Sequence, residues 1–105
     1  MNAGVIAALT IAFLPGNGAA AHHWTLRCGP AGGTLPQPAA ACAKLAKLDA
    51  PFDPVPSDTV CSMIYGGPQT ARVRGTYRGR KVDAVFNRKN GCEIARWKRV
   101  AFLFR

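Results

Sequence analysis

In LTIAF (9–13), Leu9, Ile11 and Phe13 fall on one face of an extended chain, and in WTLRC (24–28) Trp24, Leu26 and Cys28 do the same. The intervening PGNGAAA carries turn chemistry, so the two runs predict an antiparallel hairpin. Further along, QTARVRGTY (69–77) sets Ala71 and Val73 against Arg72 and Arg74. RKVDAVF (80–86) sets Val82, Ala84 and Phe86 against Lys81, Asp83 and Val85. A turn centred on Arg78-Gly79 joins these runs, which predicts paired strands with one dry face and one wet, basic face. VAFLF (100–104), an unbroken apolar run, is expected to supply the last strand of a five-stranded antiparallel sheet.

The period changes at PAAACAKLAKL (38–48). Cys42, Leu45 and Leu48 recur at spacing three, Ala41 widens the stripe, and Pro38 stands where a first helical residue tolerates proline. CEIARW (92–97) predicts a second, brief helix, whereas GPAGGTLPQP (29–38), DAPFDPVPSD (49–58) and NRKNG (87–91) read as loops. The fold class is therefore α+β, a sheet packed with about two short helices. At 105 residues there is room for one core. The domain is expected over 9–105, with 1–8 as a lead-in. Residues 4–14 followed by AAA (19–21) have some look of a secretory signal, but no Lys or Arg precedes the run, and the hairpin reading fits better. The longest apolar run is too short for a transmembrane helix.

A core of this size gains from cross-links. Cys28, Cys42, Cys61 and Cys92 are even in number and spread out, with no Cys-x-x-Cys pair, which argues against zinc. His22 and His23 are adjacent, so in a strand they point to opposite faces and make a poor ligand pair. Two disulfides are favoured, and with them an oxidising, extracellular compartment. Of three connectivities, Cys28–Cys42 with Cys61–Cys92 is preferred, each closing a loop that restricts the unfolded chain by roughly 3–4 kcal/mol. Lys and Arg outnumber Asp and Glu by 14 to 5, concentrated in RVRGTYRGRK (72–81) and RWKR (96–99). Such a face suits nucleic acid, an anionic membrane or an acidic protein, and equally suits plain solvation.

VCSMIYGGP (60–68) does not fit the scheme so far. By pattern alone, Met63 and Ile64 read as strand residues running into the core beside Cys61. The alternative is an exposed segment that something outside the protein binds. Met63 is long, unbranched and apolar, able to fill a deep hydrophobic pocket without burying a charge. The return through Gly66-Gly67-Pro68 is too tight for a loose loop.

The order Trp24-Thr-Leu-Arg-Cys28, then GPAGGT-LP, ACAKL, VCSMIYGGPQTARVRGTYRGRKVDAVF and NGCEIARW resembles the subtilisin inhibitor-like family of secreted actinobacterial proteins. The similarity covers about 9–104, and the run from Cys61 to Trp97 is its most specific part. The resemblance implies an inhibitor of serine proteases, not an enzyme, without cofactor or metal. Its partners would be subtilisin-like, or chymotrypsin-like, proteases, with neither nucleic acid nor membrane among them. The reactive bond would be Met63–Ile64, with Val60, Cys61, Ser62 and Tyr65 contacting the protease. The resemblance further implies Cys61–Cys92 and Cys28–Cys42 bonds, support of the loop from behind by Asn90 and Cys92, and a homodimer formed through one face of the sheet. Where relatives often read Gly-Thr-His-Pro, this chain has Gly33-Thr34-Leu35-Pro36, far in sequence from the reactive bond.

Two rivals come from other classes. A basic nucleic-acid-binding module would use 72–81 and 96–99, but Tyr77 alone interrupts the arginines where stacking platforms are needed. An enzyme would need a nucleophile, base and acid in one arrangement, and no such set stands out.

Overall fold

The computed structural model describes residues 6–104. Its elements run β1 (Ala7–Leu14), β2 (His22–Cys28), α1 (Pro38–Lys47), β3 (Thr70–Tyr77), β4 (Arg80–Phe86), α2 (Gly91–Val100) and a 3-10 turn at Ala101–Leu103. Among the described residues the sheet has four strands in the order β2-β1-β3-β4, every neighbouring pair antiparallel. Both predicted hairpins form. β1 takes in Ala7 and Ala8, two residues ahead of the expected start, with Ala7 opposite Cys28 and Tyr77. Residues 1–5 lie outside the described residues.

Register explains the two faces. Ile11 pairs with Trp24 on one side and Val73 on the other, and Val73 in turn pairs with Ala84. Leu9, Ile11, Leu26, Ala71, Val73, Ala84 and Phe86 are all buried on this inner face. The opposite face carries Thr10, Thr25, Arg72, Arg74, Asp83 and Val85, all exposed. A one-residue slip would exchange the two sets, so the alternation holds the register.

The expected fifth strand is absent. Val100 ends α2, 101–103 make a 3-10 turn, and Val100, Leu103 and Phe104 are all buried. Their spacing is helical. The run follows directly from α2, whose buried Trp97 fixes the phase in which the next apolar residues meet the core. Phe104 packs on Trp97 (ring centroids 4.8 Å) and Phe86 (5.4 Å). Five consecutive apolar residues satisfy either period, and the preceding helix decides between them.

The helices cover the inner face. Cys28 at the end of β2 is bonded to Cys42 in α1, with Cα atoms 5.7 Å apart. Leu35 is buried, and its N–H donates to the Thr25 carbonyl, while Thr34 and Thr25 exchange bonds between side chain and main chain. The loop after β2 thus folds back on that strand and adds a leucine to the core.

The extended linker is pinned by arginines. Arg96 donates to the carbonyls of Asp53 (2.8 Å) and Val85 (2.7 Å), lies 4.0 Å from the Phe86 ring centroid and pairs with Glu93 at 3.6 Å. Burial lowers its pKa from the ordinary value, although Glu93 acts the other way. Arg99 donates to the Asp49 carbonyl. Two of the three basic residues in RWKR, Arg96 and Arg99, therefore bind the linker's main chain rather than form a free basic surface.

Candidate functional site

Residues 59–68 form no regular element. Among the described residues, seven large hydrophobic side chains are exposed, and four of them fall within 60–65. Val60 is 96% exposed, Met63 92%, Ile64 61% and Tyr65 66%. Side chains of this size standing together in solvent mark a place where another molecule binds. The reading of Met63 and Ile64 as core strand residues is thereby excluded.

The turn after β4 and the first residues of α2 together hold the exposed stretch on both sides. Asn90 starts α2, its side chain accepting from the Glu93 N–H at 2.9 Å. The first N–H groups of a helix lack partners within it, so Gly91 N–H is free to donate to the Ser62 carbonyl, 3.0 Å away. One residue further on, Cys92 is bonded to Cys61, with Cα atoms 5.3 Å apart. A Cβ at Gly91 would strike the Ser62 side chain, so glycine permits this approach.

The other side is held by Arg88. Gly66 N–H donates to the Arg88 carbonyl at 2.7 Å, and Arg88 Nε donates to the Gly66 carbonyl at 3.0 Å. Both main-chain polar groups of Gly66 are satisfied by one residue. The guanidinium lies 5.6 Å from the ring centroid of buried Trp97. A Cβ at Gly66 would come within 2.9 Å of Ile94 Cδ1 and 3.1 Å of Arg88 Cβ, closer than packed atoms sit. Only Met63, Ile64 and Tyr65 lie between the anchors at Ser62 and Gly66. Beside the Gly66–Arg88 anchor an open recess of about 380 Å³ is lined by Phe13, Gly66, Gln69, Arg88, Trp97 and Phe104, among others.

The stretch is thus a taut bow over 88–92. A sequence model described as subtilisin inhibitor-like matches residues 6–90. The chain belongs to the subtilisin inhibitor-like family. It is 35% identical over 85 residues to Subtilisin inhibitor-like protein 1 of Streptomyces cacaoi, a match covering 76% of each chain. It is 39% identical over 74 residues to Subtilisin inhibitor of Streptomyces violaceus, spanning 67% of this chain and 50% of that one. Subtilisin inhibitor-like protein 8 of Streptomyces virginiae is 38% identical over 76 residues, 68% of either chain. The family consists of protease inhibitors rather than enzymes.

Within this subtilisin inhibitor-like chain, the structure brings Val60, Ser62, Met63, Ile64 and Tyr65 into one exposed arc, with half-buried Cys61 tying it to Cys92. Asn90 is placed differently from a direct brace. Its side-chain bond goes to Glu93, and its link to the loop runs through Gly91. The sequence placed Gly66 only in the return turn and Arg88 and Gly91 only in the 87–91 loop; the contacts these residues make with one another and with Ser62 escaped it. The one available signal was a pair of glycines at the ends of the segments that meet. Among the described residues no group of three or more His, Cys, Asp or Glu is arranged to hold a metal, and no helix is long and apolar enough to cross a membrane.

An exposed ion pair joins β3 to β4 on the open face of the sheet. Arg72 grips Asp83 through two bonds of 2.8 Å. Those bonds hold the Asp83 carboxyl below the usual carboxylate range and raise the Arg72 guanidinium further.

Proposed function

We propose that the chain is a substrate-like, tight-binding inhibitor of secreted subtilisin-type serine proteases, with Met63–Ile64 as the bond presented for attack. The carrying observation is the exposed Met63–Ile64 pair held between two anchored flanks. Met63 would fill the primary pocket, Val60 a second apolar pocket, and Ser62 is small enough to face the catalytic histidine. Tyr65 would pack on the leaving-group side. The protease's triad and oxyanion hole would act on this bond as on any substrate. Rigidity makes the difference: a pre-shaped loop loses little ordering entropy on binding, so a contact of ordinary size becomes tight.

Titration against subtilisin should give stoichiometric inhibition, with weaker inhibition of chymotrypsin and least of trypsin. Mass analysis of slowly clipped product should place the cut after Met63. Free turnover of the protein by subtilisin, or a first cut elsewhere, sinks the assignment.

The disulfides and the family support secretion. The family also supports a homodimer, for which the uncovered sheet face is suited. Thr10 and Ala12 on β1 and Thr25 on β2 give that half of the face a low profile beside Arg72 and Arg74 of β3. Light scattering should report twice the chain mass of 11.2 kDa, and the monomer mass at micromolar concentration would refute it.

The nucleic-acid alternative loses its stacking platform. The Tyr77 ring packs edge-on against Phe52 (5.2 Å) and its hydroxyl donates to the Leu45 carbonyl at 3.2 Å.

A further inference from the structure

We propose that Arg88 is the positioning residue that keeps the two ends of a cleaved Met63–Ile64 bond within rejoining distance. This rests on the reading of 60–65 as a reactive loop and adds a named cause for its resistance to hydrolysis.

When a serine protease attacks, its Oγ bonds to the Met63 carbonyl carbon. The bond from that carbon to Ile64 N breaks, and the catalytic histidine passes the serine proton to the departing nitrogen. Two fates compete for the acyl-enzyme. Water can displace the serine, releasing a Met63 carboxylate. Alternatively the Ile64 amine can attack the same carbon, re-forming the peptide bond as the serine oxygen recovers its proton through the histidine. The second fate depends on how far the amine can wander.

On the Met63 side the tether is short, because Ser62 O is bonded to Gly91 N–H and Cys61 is bonded to Cys92. On the Ile64 side no covalent cross-link exists near the cut. The first fixed point is Gly66, held by Arg88 through its carbonyl and its guanidinium. Only Ile64 and Tyr65 lie between amine and anchor, so the amine's reach is about 7 Å even with the chain fully extended. A tether that short holds the amine at a high effective concentration near the ester.

The guanidinium is well suited to this. It donates a charge-assisted bond and is itself steadied over Trp97, which is buried against Phe104 and Phe13. Without it, Gly66 retains one main-chain bond to residue 88 and loses the second. The anchor then opens readily, and the released amine spends more time away from the ester.

The test uses wild type, Arg88→Ala and Arg88→Lys with a trace of subtilisin, following intact and cleaved protein by mass spectrometry. The ratio is approached from both directions, starting from intact and from clipped material. Arg88→Ala should shift the intact-to-cleaved ratio about tenfold toward the cleaved form, as expected for loss of one charge-assisted bond. Clipping should speed up by a similar factor, and Arg88→Lys should fall between the two, since a lysine keeps the charge but not the planar fork. A residue serving only the fold would destabilise intact and cleaved forms alike and leave the ratio unchanged. An unchanged ratio and clipping rate in Arg88→Ala, with wild type inhibiting and cut after Met63, overturns the role of Arg88 alone. Failure of wild type to inhibit subtilisin overturns the reactive-loop reading itself, and this inference with it.

Discussion

Met63→Lys is expected to turn a weak trypsin ligand into a trypsin inhibitor, tightening that complex about a thousandfold or more. A lysine at this position would place an ammonium against the acidic base of a trypsin-like primary pocket, and close interfacial charge pairs carry coupling of roughly 1.5–7 kcal/mol. Binding to subtilisin should weaken far less, by about tenfold, because the lysine stem still fills an apolar pocket while its head reaches toward water. The scaffold should not notice the change, since Met63 is 92% exposed and its side chain supports nothing in the core. Inhibition constants against both proteases, measured beside the melting temperature, check this. An unaltered target range with an intact fold would mean that another residue occupies the primary pocket.

The second large effect concerns Cys61–Cys92. Replacing both cysteines by alanine should convert the inhibitor into a substrate, cut after Met63 and then degraded. The loss of stability should be about 3–4 kcal/mol, from a bridge spanning 31 residues. The matched control is Cys28→Ala with Cys42→Ala, which removes a bridge of separation 14 and costs about 3 kcal/mol. That bridge joins β2 to α1, away from the loop, so the control should remain an inhibitor wherever it is still folded. Urea unfolding and digestion time courses on both variants separate loop rigidity from global stability. Equal digestion of the two at matched stability would show that the loop's own tether is unimportant.

Arg88, by comparison, has a smaller expected effect because it shares its work with main-chain bonds. The disulfide guards one flank covalently, and Arg88 guards the other through one guanidinium and one main-chain hydrogen bond. This asymmetry places the weaker anchor on the side of the leaving amine.

Alternation in 9–13, 24–28, 69–77 and 80–86 was enough to place every strand of the observed sheet and its dry face. In an extended chain, neighbouring side chains must point opposite ways, and a wrong choice buries arginines. Cysteine number and the stripe on 38–48 likewise needed no coordinates. VAFLF could not be read correctly, since an unbroken apolar run carries no period, and only the helix preceding it sets its phase. Nor could 60–65 be called exposed from its own residues, because apolar side chains beside a cysteine usually lie inside. Its exposure was legible only through resemblance to a family. The contacts that Arg88, Gly91 and Gly66 make lay beyond any local pattern. Periodicity states which way a side chain points, not which distant segment it meets, and the clamp exists only where 62–66 and 88–92 are brought together by the fold.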